Sequence, residues 1–250
     1  MFRAGTSNIV LTERNKAAFP EAWRTRSRLS YYASLFNSLE VNSSFYKVPL
    51  PATVRKWATE VPEYFQFTFK LWKEITHARG LLFDSAALRN FMDTIDAIGD
   101  KKGCLLLQLP PGSTENDRPQ LERLLEEIGD AHADAPGMIG WKIAVEFRHR
   151  SWYQPSIYSL LDRHRASLVL HDMPASRVDD PNTEAPFIYL RYHGPRGDYK
   201  GSYSDAFLQE QARRIGQWMA EGKDVYAYFN NTVDADAPRN LATLNELVSD

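Results

Sequence analysis

Five short segments of this sequence end in side chains equipped for chemistry: Glu40 and Asn42, Lys70, Gln108, Glu146 and Arg148, and Arg191 and His193. Carboxylates serve as general acids, bases or nucleophiles, and guanidinium groups hold phosphate or carboxylate through paired hydrogen bonds. Lys70, Arg148, Arg191 and His193, with His77 near Lys70 in sequence, make a cationic clamp for a small anion. Glu40 and Glu146 are then the acid/base candidates, because apolar walls raise the pKa of a carboxyl group. Asp172 is a third carboxylate, closing another apolar segment. Asn42, Gln108, Asn230 and Asn231 add neutral polar groups for substrate binding, and Tyr46, Trp152 and Tyr203 an aromatic wall. The expected ligand is a small phosphorylated or carboxylated molecule.

Two other readings use the same residues. Glu146, Asp172 and His193 form a carboxylate and imidazole set suited to Mn, Mg or Zn, as in a metal-dependent hydrolase or isomerase. Arg148 and Arg191 bring positive charge to the same place, and no H-E-x-x-H motif occurs. No cofactor or metal ligand is therefore assigned, and a divalent ion stands as the alternative. A non-catalytic sensor of small molecules or nucleic-acid ends would use the same arginines and aromatics. With 30 Lys plus Arg against 32 Asp plus Glu, the net charge is −2. That balance provides no field for an extended nucleic-acid track.

The elements that must position these groups follow from periodicity. Side chains alternate along a strand. In Phe36–Asn42, Leu39 and Val41 take one face, and Ser38, Glu40 and Asn42 the other. Tyr64–Lys70, Gly103–Leu109, Trp141–Arg148 and Phe187–His193 divide in the same way, with the bulky apolar face suited to a covering helix. Adding Phe2–Gly5, Ser167–Asp172 and Val225–Asn230 predicts eight strands, although the faces of the last two are ambiguous. Apolar residues at helical spacing lie between them: after Pro51, over Leu88–Ile98, after a cap at Asp117, after Pro155, from Ser204 to Gly222, and at Leu241–Val248. A first helix is expected between Pro20 and Leu35. Met173–Pro186 carries three prolines and reads as a loop.

Eight βα units in 250 residues are the count and size of a TIM (β/α)8 barrel, here one domain over residues 1–250. Such barrels place chemistry at the C-terminal ends of their strands, where the polar residues above accumulate. A doubly wound open sheet is the runner-up, but the G-x-G-x-x-G fingerprint is absent after the first strand. Cys104 is the only cysteine, which excludes an internal disulfide and any zinc site needing two thiolates. It reads as a small core residue, and His132, His149 and His164 as surface or helix residues. The N-terminal run has no secretory pattern and no apolar stretch reaches membrane-spanning length, so a cytoplasmic protein is expected.

Longer motifs carry a resemblance. Leu39-Glu40-Val41-Asn42-Ser43-Ser44-Phe45-Tyr46 is followed by Pro49, Pro51, Trp57, Phe67-Thr68-Phe69-Lys70 and Ile75-Thr76-His77. Leu107-Gln108-Leu109-Pro110-Pro111, Val145-Glu146-Phe147-Arg148 with Ser151-Trp152, Leu190-Arg191-Tyr192-His193-Gly194 and Tyr228-Phe229-Asn230-Asn231 then appear in order. Together they resemble the domain of unknown function 72 family, also called YecE-like, over nearly the whole chain. The resemblance implies a TIM-barrel fold and no established reaction. The family's Gly-Thr-Ser-Gly-Trp-like start differs here, where Asn8-Ile9 follows Ser7.

Overall fold

The computed structural model describes residues 1–133 and 140–249; the side chains of residues 131–133, His132 among them, lie outside the description. Its strands are β1 (Phe2–Thr6), β2 (Ser38–Val41), β3 (Gln66–Lys70), β4 (Lys102–Gln108), β5 (Lys142–Glu146), β6 (Ser167–His171), β7 (Phe187–Tyr192) and β8 (Asp224–Phe229). All neighbours pair in parallel, in the order β1-β8-β7-β6-β5-β4-β3-β2. The connections hold α1 (Arg28–Leu35), α2 (Ser43–Tyr46), α3 (Pro51–Thr59), α4 (Lys73–Thr76), α5 (Ser85–Asp96), α6 (Arg118–Ala133), α7 (Pro155–Arg163) and α8 (Asp205–Ala220), and α9 (Asp236–Ser249) follows β8. This is the expected (β/α)8-type barrel. Among the described residues, no helix is long and apolar enough to cross a membrane.

The helices start where side chains satisfy free backbone N–H groups. Ser27 accepts from the Ser30 amide, Asp84 from Ala86 and Ser204 from Phe207, while Pro51 and Pro155 open α3 and α7. One start differs from the sequence reading. A 3-10 turn precedes α6, and its cap is Thr114. Asp117 instead supplies the returning half of a capping box, accepting from the Thr114 amide. The proline-rich loop after β6 is a loop, as expected. Asn182 pins it by donating to Ala166 O and Asp162 and accepting from the Leu168 amide.

Two apolar layers result. The outward strand faces pack against the helices. A separate inner cluster of Cys104, Leu106, Ala144, Val169, Phe187, Tyr189, Tyr226 and Tyr228 fills the barrel. The buried tyrosines are not orphaned. Tyr228 OH meets Ser38 Oγ at 2.6 Å and Thr68 Oγ1 at 2.8 Å, and Tyr226 OH donates to Gln66 Oε1 at 2.9 Å. They fill the barrel interior together with the apolar residues of that cluster.

Closure between β1 and β2 uses side chains in place of a regular ladder. The strands meet in a bridge at Ser7 and Glu40, with the Asn8 amide donating to Glu40 O at 2.7 Å. Below it, Tyr32 OH accepts from the Thr6 amide at 2.7 Å and donates to Ser38 O at 3.1 Å. Asn37 accepts from the Ala4 amide and donates to Phe2 O. The seam is tight at Gly5, where a Cβ would stand 2.1 Å from Ser38 O. Tyr32→Phe leaves the buried Thr6 amide without its partner, and we expect a loss of about 1–3 kcal/mol in chemical denaturation. Amide exchange should accelerate at Ala4–Thr6 before it does at β4 or β5; uniform acceleration would show that Tyr32 does not hold the seam.

Candidate functional site

The inward phase of each strand delivers the polar residues to one end of the barrel. Register places Gln108 beside Glu146, His171 beside Arg191 and Ser7 beside Glu40. At the centre lies Arg191, 1% exposed. Its Nε and Nη2 donate to the two oxygens of Glu40 at 2.9 and 2.7 Å, and Nη1 donates to Glu146 Oε2 at 2.6 Å. Glu40 also accepts from Ser7 Oγ and Tyr189 OH, and Glu146 from Arg148 Nε. Both carboxylates are fully buried.

This arrangement corrects two expectations. Arg191 is engaged on both edges of its guanidinium and sealed from solvent, so it is the counter-ion of the carboxylates and not an exposed anion clamp. Glu40 and Glu146 were expected to have raised pKa values. Burial does push upward, but the Arg191 guanidinium holds Glu40 below the ordinary carboxylate value, and Arg148 and Arg191 hold Glu146 well below it. Both are therefore ionised and satisfied at neutral pH, which suits charge-holding and not proton donation.

A second set lies beside this cluster. The His193 backbone amide donates to Asp172 Oδ1 at 2.8 Å, and its Nδ1 meets the same oxygen at 3.2 Å. Its Nε2 faces Arg148 Nη2 at 3.0 Å. Burial keeps the imidazole pKa below its ordinary value. The neutral ring with Nδ1–H toward Asp172 and a lone pair toward Arg148 fits these contacts. Tyr203, read as part of a stacking wall, instead donates its hydroxyl to Asp172 Oδ2 and accepts from the Gly194 amide. Asp172 is thus committed to positioning His193. Glu146 and Asp172 approach opposite nitrogens of His193, at 3.8 and 3.2 Å. The three therefore do not converge on one point as the metal reading requires. Among the described residues, Glu122, Glu126 and His164 bring ligand atoms within 4.8 Å of one another, but on the outer helices, where Glu122 pairs with Arg163.

Lys70 is the cation of the mouth without a carboxylate partner within salt-bridge distance among the described residues. Its Nζ donates to Gln108 Oε1 at 2.8 Å and stands 4.0 Å from the centre of the Phe45 ring. Gln108 is oriented in turn by donating to Leu109 O. Burial, and then the positive charge of Arg191, depress the Lys70 pKa from 10.5 to about 7. His77, exposed at the rim with its ring edge on Phe45, is lowered to about 4 by desolvation and by the charges of Lys70 and Arg148. His171, bonded to Phe147 O and Tyr153, is also lowered to about 4. Both imidazoles are therefore neutral at pH 7. Arg148 is bonded through Nε to Glu146 and through Nη2 to His193, and its Nη1 has no hydrogen-bond partner among the described residues.

The remaining candidates divide. Asn42 and Tyr46 stand on the rim, Tyr46 largely exposed, and the buried Asn42 Oδ1 has no hydrogen-bond partner. Asn8, not singled out in the sequence, accepts from the Asn42 and Ser43 amides. Asn230 is half-buried after β8. Asn231 is buried, donates to Gly201 O and Asn240, and leaves its own Oδ1 unpartnered. Trp152 is not brought to the mouth. It is fully buried, stacked on Phe147 with centroids 4.7 Å apart, and its indole donates to Ser113 O. Ser7 and Tyr189 were overlooked as functional partners, although both lie on the inward phase of their strands. Phe45 was overlooked because a one-turn helix, not a strand, carries it over Lys70.

The fold and this end of it define a parallel (β/α)8 barrel with a buried ion-pair cluster at the C-terminal ends of its strands. The sequence profile of the family described as "Protein of unknown function DUF72" matches residues 3–250. The chain belongs to that family. It is similar to UPF0759 protein YunF of Bacillus subtilis, 26% identical over 92% of this chain and 89% of that protein. It is also similar to UPF0759 protein YecE of Escherichia coli, 27% identical over 50% of this chain and 43% of that one. A crystal structure of a DUF72 family protein from Thermotoga maritima superposes with a TM-score of 0.80 at 23% identity, covering 100% of both chains. One from Enterococcus faecalis gives 0.80 at 21% identity, covering 100% of this chain and 96% of that one.

Arg191→Met takes the cation from Glu40 and leaves Glu146 with Arg148 alone, and the expected cost at pH 7 is about 3–5 kcal/mol. The carboxylates contribute stability above their unfolded pKa and lose it as pH falls through their depressed folded values. In the variant both values rise, so the deficit should shrink toward pH 4 in denaturation curves. An equal deficit at both pH values would mean that lost packing, not charge, is responsible.

Lys70→Met has the opposite sign. A lysine whose folded pKa lies below 10.5 binds fewer protons folded than unfolded between pH 7 and 10.5, so its penalty is complete below pH 7 and fades as pH rises. The variant should gain several degrees in melting temperature at pH 6 and less at pH 9, at roughly 2–4 °C per kcal/mol for a domain of this size. A gain independent of pH would contradict the depressed value.

Proposed function

We propose that this protein is an enzyme acting on a small phosphorylated or carboxylated substrate at the C-terminal mouth of the barrel, with Lys70 and Arg148 as the groups that meet the anion. One observation carries the reading: Lys70, inside the mouth, has only a neutral amide as its hydrogen-bond partner, while the nearby Glu40 and Glu146 are already bonded to Arg191 and Arg148. An anion placed there gains attraction from Lys70 and from the free edge of Arg148, and displaces no existing salt bridge of Lys70. Glu40 and Glu146 serve as fixed negative charges that hold Arg191 and orient Arg148. Among the mouth residues whose pKa is shifted to a value near neutrality, Lys70 is the one suited to exchange a proton with substrate. Asn42 Oδ1, buried without a partner at the rim, offers an acceptor for a substrate hydroxyl.

The test is a thermal-shift series with inorganic phosphate, sugar phosphates, nucleotides and dicarboxylates, in the presence of a chelator. An anion at a hundred times its dissociation constant adds about 2.7 kcal/mol, which is about 5–10 °C here. The anion favours protonated Lys70, so the shift should be larger at pH 6 than at pH 8.5, and smaller in Lys70→Met and Arg148→Met. A shift that appears only with Mn or Zn and disappears with the chelator would replace this reading with the metal-dependent one. No shift with any anion at low salt would leave the cations as structural charges.

A further inference from the structure

Two lysines on adjacent barrel strands, Lys102 and Lys70, differ in one respect. Lys102, at the N-terminal end of β4, is 4% exposed and paired with Asp96 at 2.9 Å. Lys70, on the inward face of β3 at the opposite end, has no carboxylate within 4 Å among the described residues. Its hydrogen bond goes to Gln108, and its other close neighbour is the face of Phe45. An amide oxygen carries no full negative charge, so it favours the ammonium less than a carboxylate would. Burial opposes protonation most, the charges of Arg191 and Arg148 add to it, and those of Glu146 and Glu40 act in the other direction without reversing it. This is the environment that turns a lysine from a cation into a nucleophile.

We propose that Lys70 is a covalent nucleophile that forms an imine with a carbonyl-bearing anion, a keto acid or an aldose or ketose phosphate. The inference rests on the anion reading above and narrows its substrate class. The Lys70 nitrogen lone pair forms the C–N bond as the C=O π pair moves to oxygen. One nitrogen proton leaves to solvent and the oxygen takes up one, giving a neutral carbinolamine. A further solvent proton converts the hydroxyl to leaving water, and the nitrogen lone pair forms C=N. The sum is amine plus carbonyl plus one proton giving a protonated imine and water, with no oxidant or reductant. The iminium is cationic, and in a mouth with Arg148 beside it and Arg191 buried beneath, the substrate's own phosphate or carboxylate supplies the balancing charge. That requirement couples the covalent step to the anion site. The step needs the free amine, which the pKa of about 7 supplies at neutral pH.

The experiment uses the intact protein with pyruvate or dihydroxyacetone phosphate and sodium cyanoborohydride, which reduces an imine to a stable secondary amine. Peptide mapping by mass spectrometry then reads each lysine in one sample, so the result does not depend on a variant that folds. Lys70 should be modified roughly tenfold or more faster than any exposed lysine at pH 7, because exposed amines near pKa 10.4 are almost wholly protonated. The modification should be absent without the reductant and slowed by added phosphate. Modification of Lys70 no faster than that of surface lysines, with both carbonyl compounds, overturns the proposal. If phosphate still raises the melting temperature in that case, the anion reading survives and only the imine fails. If neither occurs, both fail together.

Discussion

The polar end of the barrel is organised by one buried guanidinium. Arg191 arrives on β7, Glu40 on β2 and Glu146 on β5, so three strands distant in sequence are tied by bonds of 2.6–2.9 Å. Desolvating three charges costs several kcal/mol each, and their attraction returns that only where geometry is good and the remaining lone pairs are filled. Here they are filled: Ser7 and Tyr189 complete Glu40, and Arg148 completes Glu146. The arrangement is all-or-none, since losing one member strands the others. It also constrains closure, because Ser7 and Glu40 sit where β1 and β2 meet without a regular ladder. The same carboxylate therefore closes the barrel and anchors its polar end.

What Lys70 does follows from that cluster. The two glutamates are consumed by the arginines and are not shared with the lysine, although their charges still act on it at longer range in the opposite sense to Arg191. The balance, dominated by burial, leaves an amine poised between its two protonation states. A carboxylate in the place of Gln108 would lock it as an ammonium. The polar layer above Arg191 is thus graded. Fully compensated charges lie deepest, His193 is fixed by Asp172 and Tyr203 beside them, and Lys70, the least compensated cation, lies toward the rim.

Much of this was legible from a period of two. The inward phase named Glu40, Lys70, Gln108, Glu146, Arg191 and His193 as neighbours, and the register brings Gln108 to Glu146 and places Glu40 and Glu146 on Arg191. Periodicity assigns a face but not a partner. It could not tell that Arg191 would be saturated, and so the direction of the glutamate shifts was reversed. Trp152 lies in a short 3-10 turn, where no period exists to separate core from rim, and it went inward onto Phe147. Phe45 was invisible for a similar reason: the one-turn helix after β2 follows neither strand nor helix spacing long enough to read. The cap of α6 was misplaced by three residues because an acidic residue before a helix fits either end of a capping box.

The contrast between Lys102 and Lys70 separates two demands on one barrel. At the N-terminal end, the buried ammonium meets Asp96, which also accepts from the Trp141 indole, and that closed set serves stability. At the C-terminal end a comparable ammonium is given an amide and an aromatic face, neither of which compensates a full charge as a carboxylate does. Stability alone would favour the first solution at both ends. In barrels the N-terminal face is where conserved residues serve stability and the C-terminal face is where loops present chemistry. The two lysines differ in that sense through their partners: Lys102 is paired with Asp96, and Lys70 has an amide and an aromatic face.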